Sequence, residues 1–285
     1  MAHYLLDHLG TLRFYGADAR KFLQGQLSND VQRLTAETLL RAGLHNPQGR
    51  TLALLALTPE GADAVLAVLP RDLIVPVSTQ LKRYVLRSKV VISDTSSDYR
   101  IYGFANSSSV APGAGHLCRY GLQDDTRMLL LHPSTDPPLA GSELASTHWR
   151  ELDIAAGLPH LSSTTSGQFV AQMLNLDCIE AISFSKGCYT GQEVIARAHY
   201  RGRVKRRMQR FVSLLPHQLA AGAIGRLADG RSFRVIDASV RSDGRCEFLA
   251  VAALPGAVQE ADQGGDVNDQ ALVVEGLTLP YSLPE

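Results

Sequence analysis

The chain contains few cysteines, and no two of them have the spacing of a metal or redox motif. Its 285 residues include four, namely Cys118, Cys178, Cys188 and Cys246. Zinc and thioredoxin-like sites use cysteines two residues apart, and disulfide-stabilised secreted domains use many more in a short chain. The sequence therefore argues against all three classes and predicts free thiols in a reducing compartment.

The chain also lacks net charge and long apolar runs. Its 28 Lys and Arg balance its 28 Asp and Glu, so overall charge gives no reason to expect nucleic acid or a membrane as the main partner. The first residues lack the basic segment of a signal or transit peptide, and no run approaches the roughly 20 apolar residues of a membrane span. We therefore expect a cytoplasmic protein without membrane contact.

Apolar periodicity and turn signals predict an α+β fold with mostly antiparallel sheets. Strand and helix patterns alternate in the first hundred residues, where Asn46-Pro47-Gln48-Gly49 separates two extended segments as a hairpin loop would. Clusters of Gly, Ser and Pro delimit a smaller second lobe at roughly 95–160. Beyond residue 202, short strands separated by Asp-Gly turns predict a small C-terminal β-barrel. We therefore divide the chain into a two-lobed region, 1–202, and a barrel, 203–285.

The segment Lys186-Gly-Cys-Tyr-Thr-Gly-Gln-Glu193 combines a thiol, an ammonium group, two glycines and a helix-start signal. Thr190 and Glu193 have the spacing of a capping box, which predicts a helix beginning just after Cys188. The helix N-terminus and Lys186 would both favour a reactive thiolate. The alternative is a buried cysteine that packs as a small apolar residue, but the polar and glycine neighbours favour a reactive thiol.

This motif and several other segments resemble the YgfZ family, and the resemblance extends over essentially the whole chain. It implies a relative of the glycine-cleavage T-protein, an aminomethyltransferase, built as three lobes around a central opening. It also implies binding of tetrahydrofolate or a derivative, and support of iron–sulfur enzymes such as tRNA-modifying enzymes. The matching segments include Ser183 to Glu193, Ala196-Arg197-Ala198, Leu23-Gln24-Gly25-Gln26, Ala156-Gly157-Leu158-Pro159 and Leu279-Pro280-Tyr281-Ser282-Leu283.

Some positions depart from the pattern of the related enzymes. The T-protein family carries a pair of carboxylates after the hairpin turn, where this chain has Ala53 and Leu54, and a glutamate near a helix end, where it has Ala155. An aromatic residue expected near the N-terminus falls on Leu9. Without these carboxylates, methylene transfer has no evident acid or base, so we do not expect classical turnover.

The resemblance also implies which residues contact the folate. Trp149, the single tryptophan, is suited to pack against the flat rings, although a core position is equally well supported. Asp30 either accepts pterin N–H groups or caps the following turn. Lys186 either binds a carboxylate or acts on Cys188. The other expected contacts are Leu9, Tyr189, Gln192 and Glu193, of which the last two alternatively stabilise the helix start.

We predict an accessory protein that binds a reduced folate and uses Cys188 in iron–sulfur maintenance. The first alternative is a folate-dependent aminomethyl or one-carbon transferase, and the second is a tRNA-binding module. The tRNA hypothesis rests on the basic stretch 197–210, with Tyr200 as a stacking residue, but a partly solvated strand explains that stretch as well. No metal site is expected, since a stable cluster needs several thiolates at ligand spacing.

Overall fold

The computed structural model describes residues 1–105, 115–202, 204–255 and 272–284. Within them, fifteen β-strands and four α-helices are formed. The strands are β1 (Ala2–Leu5), β2 (Leu9–Tyr15), β3 (Leu40–His45), β4 (Thr51–Glu60), β5 (Ala64–Pro70), β6 (Val91–Asp94), β7 (Tyr99–Phe104), β8 (His116–Arg119), β9 (Met128–Pro133), β10 (Ser142–Leu144), β11 (Arg206–Pro216), β12 (Ile224–Arg226), β13 (Ser232–Val240), β14 (Arg245–Ala253) and β15 (Val274–Leu277). The helices are α1 (Ala19–Gln26), α2 (Ile74–Lys82), α3 (Ser146–Ala155) and α4 (Gln192–Tyr200).

The first lobe is an antiparallel five-stranded sheet in the order β3-β4-β5-β2-β6. Side chains of β4 alternate between its two faces, as a strand requires: Ala53 and Leu55 are buried in the core, whereas Leu54 is half-buried on the other face. The predicted hairpin is confirmed, with Gly49 at φ 71° in the loop between β3 and β4.

The second lobe is a five-stranded sheet in the order β10-β1-β7-β9-β8. Its strand β1 comes from the start of the chain, pairing antiparallel with β7 and parallel with β10. The predicted range of roughly 95–160 left this strand out. The pairing joins segments about a hundred residues apart, and no local pattern of the sequence signals it.

The third lobe is a five-stranded sheet in the order β12-β13-β14-β11-β15. The Asp-Gly turns predicted here are present, with Gly230 at φ 87° and Gly244 at φ 81°. The predicted closed barrel is not formed by the described residues, because β12 and β15 remain edge strands. A backbone hydrogen bond from the Leu272 N–H to the Arg226 carbonyl (3.0 Å) nevertheless links the two edges at one end.

Helix α3 packs between the second and third lobes. Trp149 is fully buried, with its ring centroid 5.4 Å from that of Tyr4 in β1. Gly103 of β7 also packs directly against Trp149, because a Cβ added at this glycine would lie only 2.6 Å from the indole ring. Arg150 donates to the buried carboxylate of Asp237 in β13 (2.5 Å). The middle of α3 is therefore fixed to both of these lobes.

Candidate functional site

The ammonium group of Lys186 lies at the end of a distant helix. Its Nζ donates to the carbonyls of Gln24 (2.5 Å) and Leu27 (2.6 Å), at the C-terminus of α1, where carbonyls lack intrahelical partners and positive charge is favourable. Burial lowers the pKa of Lys186 to about 8, although the negative charge of Asp30 opposes the shift. Lys186 therefore anchors the segment 183–191, which we call the thiol loop, to the first lobe.

The predicted capping box is wrong. Helix α4 begins at Gln192 after Gly191, which adopts φ 84° as the N-cap, and no side chain caps the helix. The carboxylate of Glu193 points away and pairs with Arg197 one turn later (3.1 Å). The helix therefore begins four residues after Cys188 and not directly after it, as the capping box predicted. Cys188 is exposed.

Gly191 fixes the thiol loop against the β3–β4 hairpin. A Cβ at Gly191 would lie 2.5 Å from the Asn46 carbonyl oxygen, and one at Gly49 would lie 2.9 Å from the Val194 side chain. Both glycines also have positive φ. The loop and the hairpin therefore pack backbone to backbone, which only glycine permits.

We expect Gly191→Ala to lower the free energy of unfolding by about 2 kcal/mol, because alanine is strained at this φ and its methyl group has no room. Urea unfolding measures the effect. Gly187→Ala is the matched control, since a Cβ at Gly187 meets nothing within 4 Å. Equal stability of the two variants would contradict this account of the loop.

Tyr189 and His45 are buried together beneath the thiol loop. Their ring centroids are 6.3 Å apart, and the Lys186 Nζ lies 5.0 Å from the tyrosine ring. Neither nitrogen of His45 has a hydrogen-bond partner in the described part of the chain, and burial lowers the pKa of His45 to about 3. Burial likewise raises the pKa of Tyr189 to about 12. Tyr189 therefore contributes to packing in this structure and lines neither of the cavities described next.

A cavity of about 850 Å³, the inter-lobe cavity, opens between β3, the segment 119–127, the end of α3 and the segment 178–180. Apolar side chains form much of its wall, and Ala155 lies at its edge where the related enzymes have glutamate. None of the predicted folate contacts lines this cavity, and neither does Cys188; the cations that line it are Arg33, Arg41, Arg119 and Arg127.

A second cavity, of about 40 Å³, lies behind the first. Leu9 and Leu54 both line it, as does His160, so the structure brings together two positions at which the sequence departs from the related enzymes. Ala53 and Leu54 are the two positions aligned with the carboxylates of the related enzymes. Only Leu54 faces a cavity, because Ala53 is on the opposite face of β4.

Arg41 separates the two cavities and lines both. Its side chain is only 8% exposed. One N–H group donates to the Tyr120 carbonyl, and the guanidinium lies 4.9 Å from the Tyr120 ring centroid. In the part of the chain that the structure describes, no carboxylate forms an ion pair with Arg41. Burial lowers the pKa of Arg41, although the charges of Tyr120 and Asp153 oppose this. A buried guanidinium without a counterion favours an anionic or carbonyl-bearing ligand.

Asp153, on α3, is the centre of a buried polar network. Its carboxylate accepts hydrogen bonds from Arg127 (2.7 Å), His160 (3.0 Å) and the Tyr120 hydroxyl (3.2 Å). Burial alone would raise the pKa of Asp153, but the bond from His160 and the charge of Arg127 outweigh it and lower the pKa. Burial would lower the pKa of His160, but the bond to Asp153 raises it. Both shifts therefore favour the charged forms of the two groups.

The comparisons with known proteins identify relatives of this architecture. The chain is 32% identical to an uncharacterized protein of Haemophilus influenzae over 278 residues, which cover 95% of this chain and 94% of that protein. The chain belongs to the same family as that protein. No protein-family model matches it.

The fold of this family member is that of glycine cleavage system aminomethyltransferase T. The crystal structure of that protein from Bartonella henselae superposes with a TM-score of 0.68 at 14% sequence identity, covering 88% of this chain and 78% of the other. The predicted α+β architecture with mostly antiparallel sheets is thereby confirmed. No helix in the described residues is long and apolar enough to cross a membrane.

Two residues of this family member that were predicted to contact folate, Trp149 and Asp30, interact with other residues of the protein. Trp149 is fully buried in the core, which favours the packing alternative. Asp30 caps the turn after α1, accepting from the Gln32 N–H (3.1 Å) and the Gln24 side chain (3.0 Å).

Cys178 is the cysteine that lines the inter-lobe cavity. The sequence did not predict a cavity position for this residue. Burial and the neighbouring Asp177 raise its pKa to about 12, so it is a neutral thiol. Asp177 also pairs with the buried Arg207 (2.9 Å). Arg207 is therefore not available to a phosphate, and this contradicts its role in the tRNA hypothesis. Arg203, another arginine of the basic stretch 197–210, lies outside the described residues.

Proposed function

We propose that this protein binds a reduced folate, tetrahydrofolate or a derivative, in the inter-lobe cavity. The observation that carries the proposal is Arg41, a buried guanidinium that faces the cavity without a carboxylate partner among the described residues. Removing such a charge from water is costly unless a ligand compensates it. A pterin offers ring carbonyl and nitrogen acceptors to such a donor.

The remaining features of the cavity fit the same ligand class. Its volume of about 850 Å³ is within the usual range for sites of drug-sized ligands. Leu40, Leu122 and Ile179 provide apolar walls for flat rings, and Arg33 and Arg119 provide charge for the carboxylates of a glutamate tail. The aminomethyltransferase fold and the resemblance of the KGCYTGQE motif to the YgfZ family support folate as the occupant.

We further propose that the folate-bound protein is an accessory factor for iron–sulfur enzymes, including tRNA-modifying enzymes, in the cytoplasm. The motif supports this role, and the exposure of the Cys188 thiol makes it accessible to a client protein. Lys186 and Gly191 hold the loop that presents this thiol, so their contribution is to position it. Cys188 contacts the client, whereas the folate stays in the cavity.

Cys188→Ser is expected to separate the two parts of this proposal. Because Cys188 does not line the cavity, calorimetric titration with tetrahydrofolate should give the same affinity for the variant and the wild type. In cells that carry only the variant, the activity of iron–sulfur enzymes should fall as it does on gene deletion, without a fall in their amounts.

Cys246→Ala, at a cysteine buried in the third lobe and outside both cavities, is the control and is expected to retain the cellular activity. Normal cluster occupancy of client enzymes in both the deletion strain and the Cys188→Ser strain would refute the accessory role. Absence of tetrahydrofolate binding to the wild type would refute the folate proposal separately.

The shared fold supports one other candidate, a folate-dependent aminomethyl or one-carbon transferase. Among the described residues, two carboxylates line the cavity without an arginine partner. They belong to Asp124 and Glu180, which are exposed near its mouth. Leu54 and Ala155 occupy the positions where the related enzymes carry acids. We therefore expect no turnover of an aminomethyl donor with tetrahydrofolate, and measured turnover would establish the transferase instead.

A further inference from the structure

A surface far along the sheet from the inter-lobe cavity combines positive charge with exposed apolar side chains. It consists of the connection from α2 to β6 together with the end of β2, and we call it the α2–β6 surface. Leu86 is 88% exposed, Val91 62% and Tyr15 51%. Tyr15 and Val91 are directly paired across β2 and β6, so their side chains share one face. Isolated exposed apolar residues are ordinary, but a group of them marks an interaction site.

The cations of this surface have no acidic partner among the described residues. Lys82, Arg83, Arg87 and Lys89 are all exposed, and none of them forms an ion pair with another described residue. The carboxylate of Asp18 accepts from the backbone N–H of Lys89 (2.8 Å) and not from its ammonium group. In a chain with no net charge, this concentration of unpaired cations is a local feature that complements an acidic partner.

Helix α1 adds two cations at an unfavourable position. Arg20 and Lys21 occupy its first turn, which contains no acidic residue. Positive charge at a helix N-terminus opposes the helix dipole and costs stability. The backbone bond from Asp18 to Lys89 (3.2 Å) brings this turn next to the α2–β6 surface. These two charges therefore do not stabilise helix α1, but they would favour the binding of an acidic partner.

Leu86 combines two unfavourable properties. Its φ is 41°, in the left-handed region that non-glycine residues rarely adopt, and its side chain is almost completely in water. The turn is tight, with backbone hydrogen bonds from Ser88 to Val85 (2.7 Å) and from Val90 to Ser88 (2.9 Å). Strain of this kind is concentrated at functional positions. No contact within the described structure compensates it.

Strand β6 supplies the backbone for docking. It is at the end of the strand order β3-β4-β5-β2-β6 and pairs with β2 alone among the described strands. An edge strand presents unpaired N–H and C=O groups to which an extended peptide can add.

We infer that the α2–β6 surface docks an extended segment of a partner protein, with alternating acidic and apolar residues, as an added strand along β6. RNA recognition by stacking uses aromatic side chains. Leu86 and Val91 are aliphatic, and the Arg13 guanidinium already lies over the ring of Tyr15, 5.1 Å from its centroid, so the surface favours a protein over RNA. The free strand edge favours a peptide over a lipid surface, because lipid has no backbone groups to complete the sheet.

The test uses the full-length protein and a synthetic peptide of repeated Glu-Val-Glu-Ile, with a Lys-Val-Lys-Ile peptide as the control probe. We expect the acidic peptide to bind with an affinity that falls as salt is added and to slow amide hydrogen exchange in β6. The basic peptide should not bind.

Leu86→Gly should weaken acidic-peptide binding about tenfold, through the apolar contact that is lost, while the protein stays as stable or becomes more stable, since glycine relieves the strained φ. Leu215→Gly, at an exposed leucine of the third lobe, is the matched control and should bind normally. Arg83→Glu should weaken binding as well.

Three results would overturn the inference: no salt-sensitive binding of the acidic peptide at low salt, binding that leaves β6 exchange unchanged, or equal binding by Leu86→Gly. Vesicles of anionic phospholipid and a single-stranded RNA are tested in parallel. If either binds in a Leu86-dependent way while the acidic peptide does not, the surface serves that class of partner and the inference is wrong.

Discussion

Asp153→Asn is expected to lower the free energy of unfolding by about 3–5 kcal/mol, the usual cost of removing one partner from a buried ion pair. The substitution keeps the shape of the side chain but removes the charge that Arg127 and His160 share. Arg127 would then keep only Asp125 as its acidic partner, and the half-buried His160 would lose its own. Urea unfolding at neutral pH measures the change.

The matched control is Asp229→Asn, which breaks a pair between an exposed carboxylate and Arg231. Surface pairs contribute about 0–1 kcal/mol, so this variant should be close to wild type. A loss for Asp153→Asn no larger than that of the control would show that the buried network does not stabilise the fold.

The same network predicts how stability depends on pH. The pKa of Asp153 is lowered in the folded protein, so its contribution is present above the ordinary carboxyl pKa and is lost as pH falls through the folded value. The pKa of His160 is raised, so its contribution is present below about pH 6.5 and is lost as pH rises through the folded value. The wild type should therefore lose stability in both directions, and Asp153→Asn should weaken both dependences. Part of the acid-side dependence should remain, because burial lowers the pKa of His8 to about 4.

Arg41→Met is expected to weaken tetrahydrofolate binding about a hundredfold. A hydrogen bond to a charged group contributes about 1.5–3 kcal/mol, and about 1.4 kcal/mol corresponds to a factor of ten in affinity. Stability should remain equal or rise, because the variant replaces an uncompensated buried charge with an apolar side chain of similar length. Calorimetric titration and thermal unfolding measure the two effects.

Arg127→Met is the comparison for this prediction. Arg127 also lines the cavity but pairs with Asp153 and Asp125, so its removal should destabilise the protein. If Arg41→Met unfolds as readily as Arg127→Met while its folded fraction keeps full affinity, Arg41 is a structural residue and not a ligand donor.

The features that were predictable from the sequence are local ones. The hairpin at Asn46 to Gly49 and the Asp-Gly turns of the third lobe each follow from residues that are adjacent in the chain. The lobed architecture followed from the order of such signals together with the family resemblance. The start of α4 shows the limit of local reasoning, since Thr190 and Glu193 have the right spacing for a capping box while Gly191 between them takes a backbone conformation that prevents it.

The candidate site was less predictable because its contacts are distant in sequence. Lys186 bonds to carbonyls about 160 positions earlier, so its neighbours in the motif did not reveal its partner. Arg41 and Asp153 look like ordinary charged residues, and only their burial distinguishes them. A charged residue within an apolar strand pattern, such as Arg41 between Leu40 and Ala42, is the one sequence signal that would have indicated the cavity.

Strand β3 carries Arg41 near its start and His45 at its end. A strand advances about 3.3 Å per residue, so Arg41 and His45 are about 13 Å apart along β3. The strand therefore fixes the distance between the cavity wall and the support of the thiol loop. A ligand at one end and a protein at the other would not compete for space. Both can be held by the same molecule at the same time, with the separation between them determined by the strand.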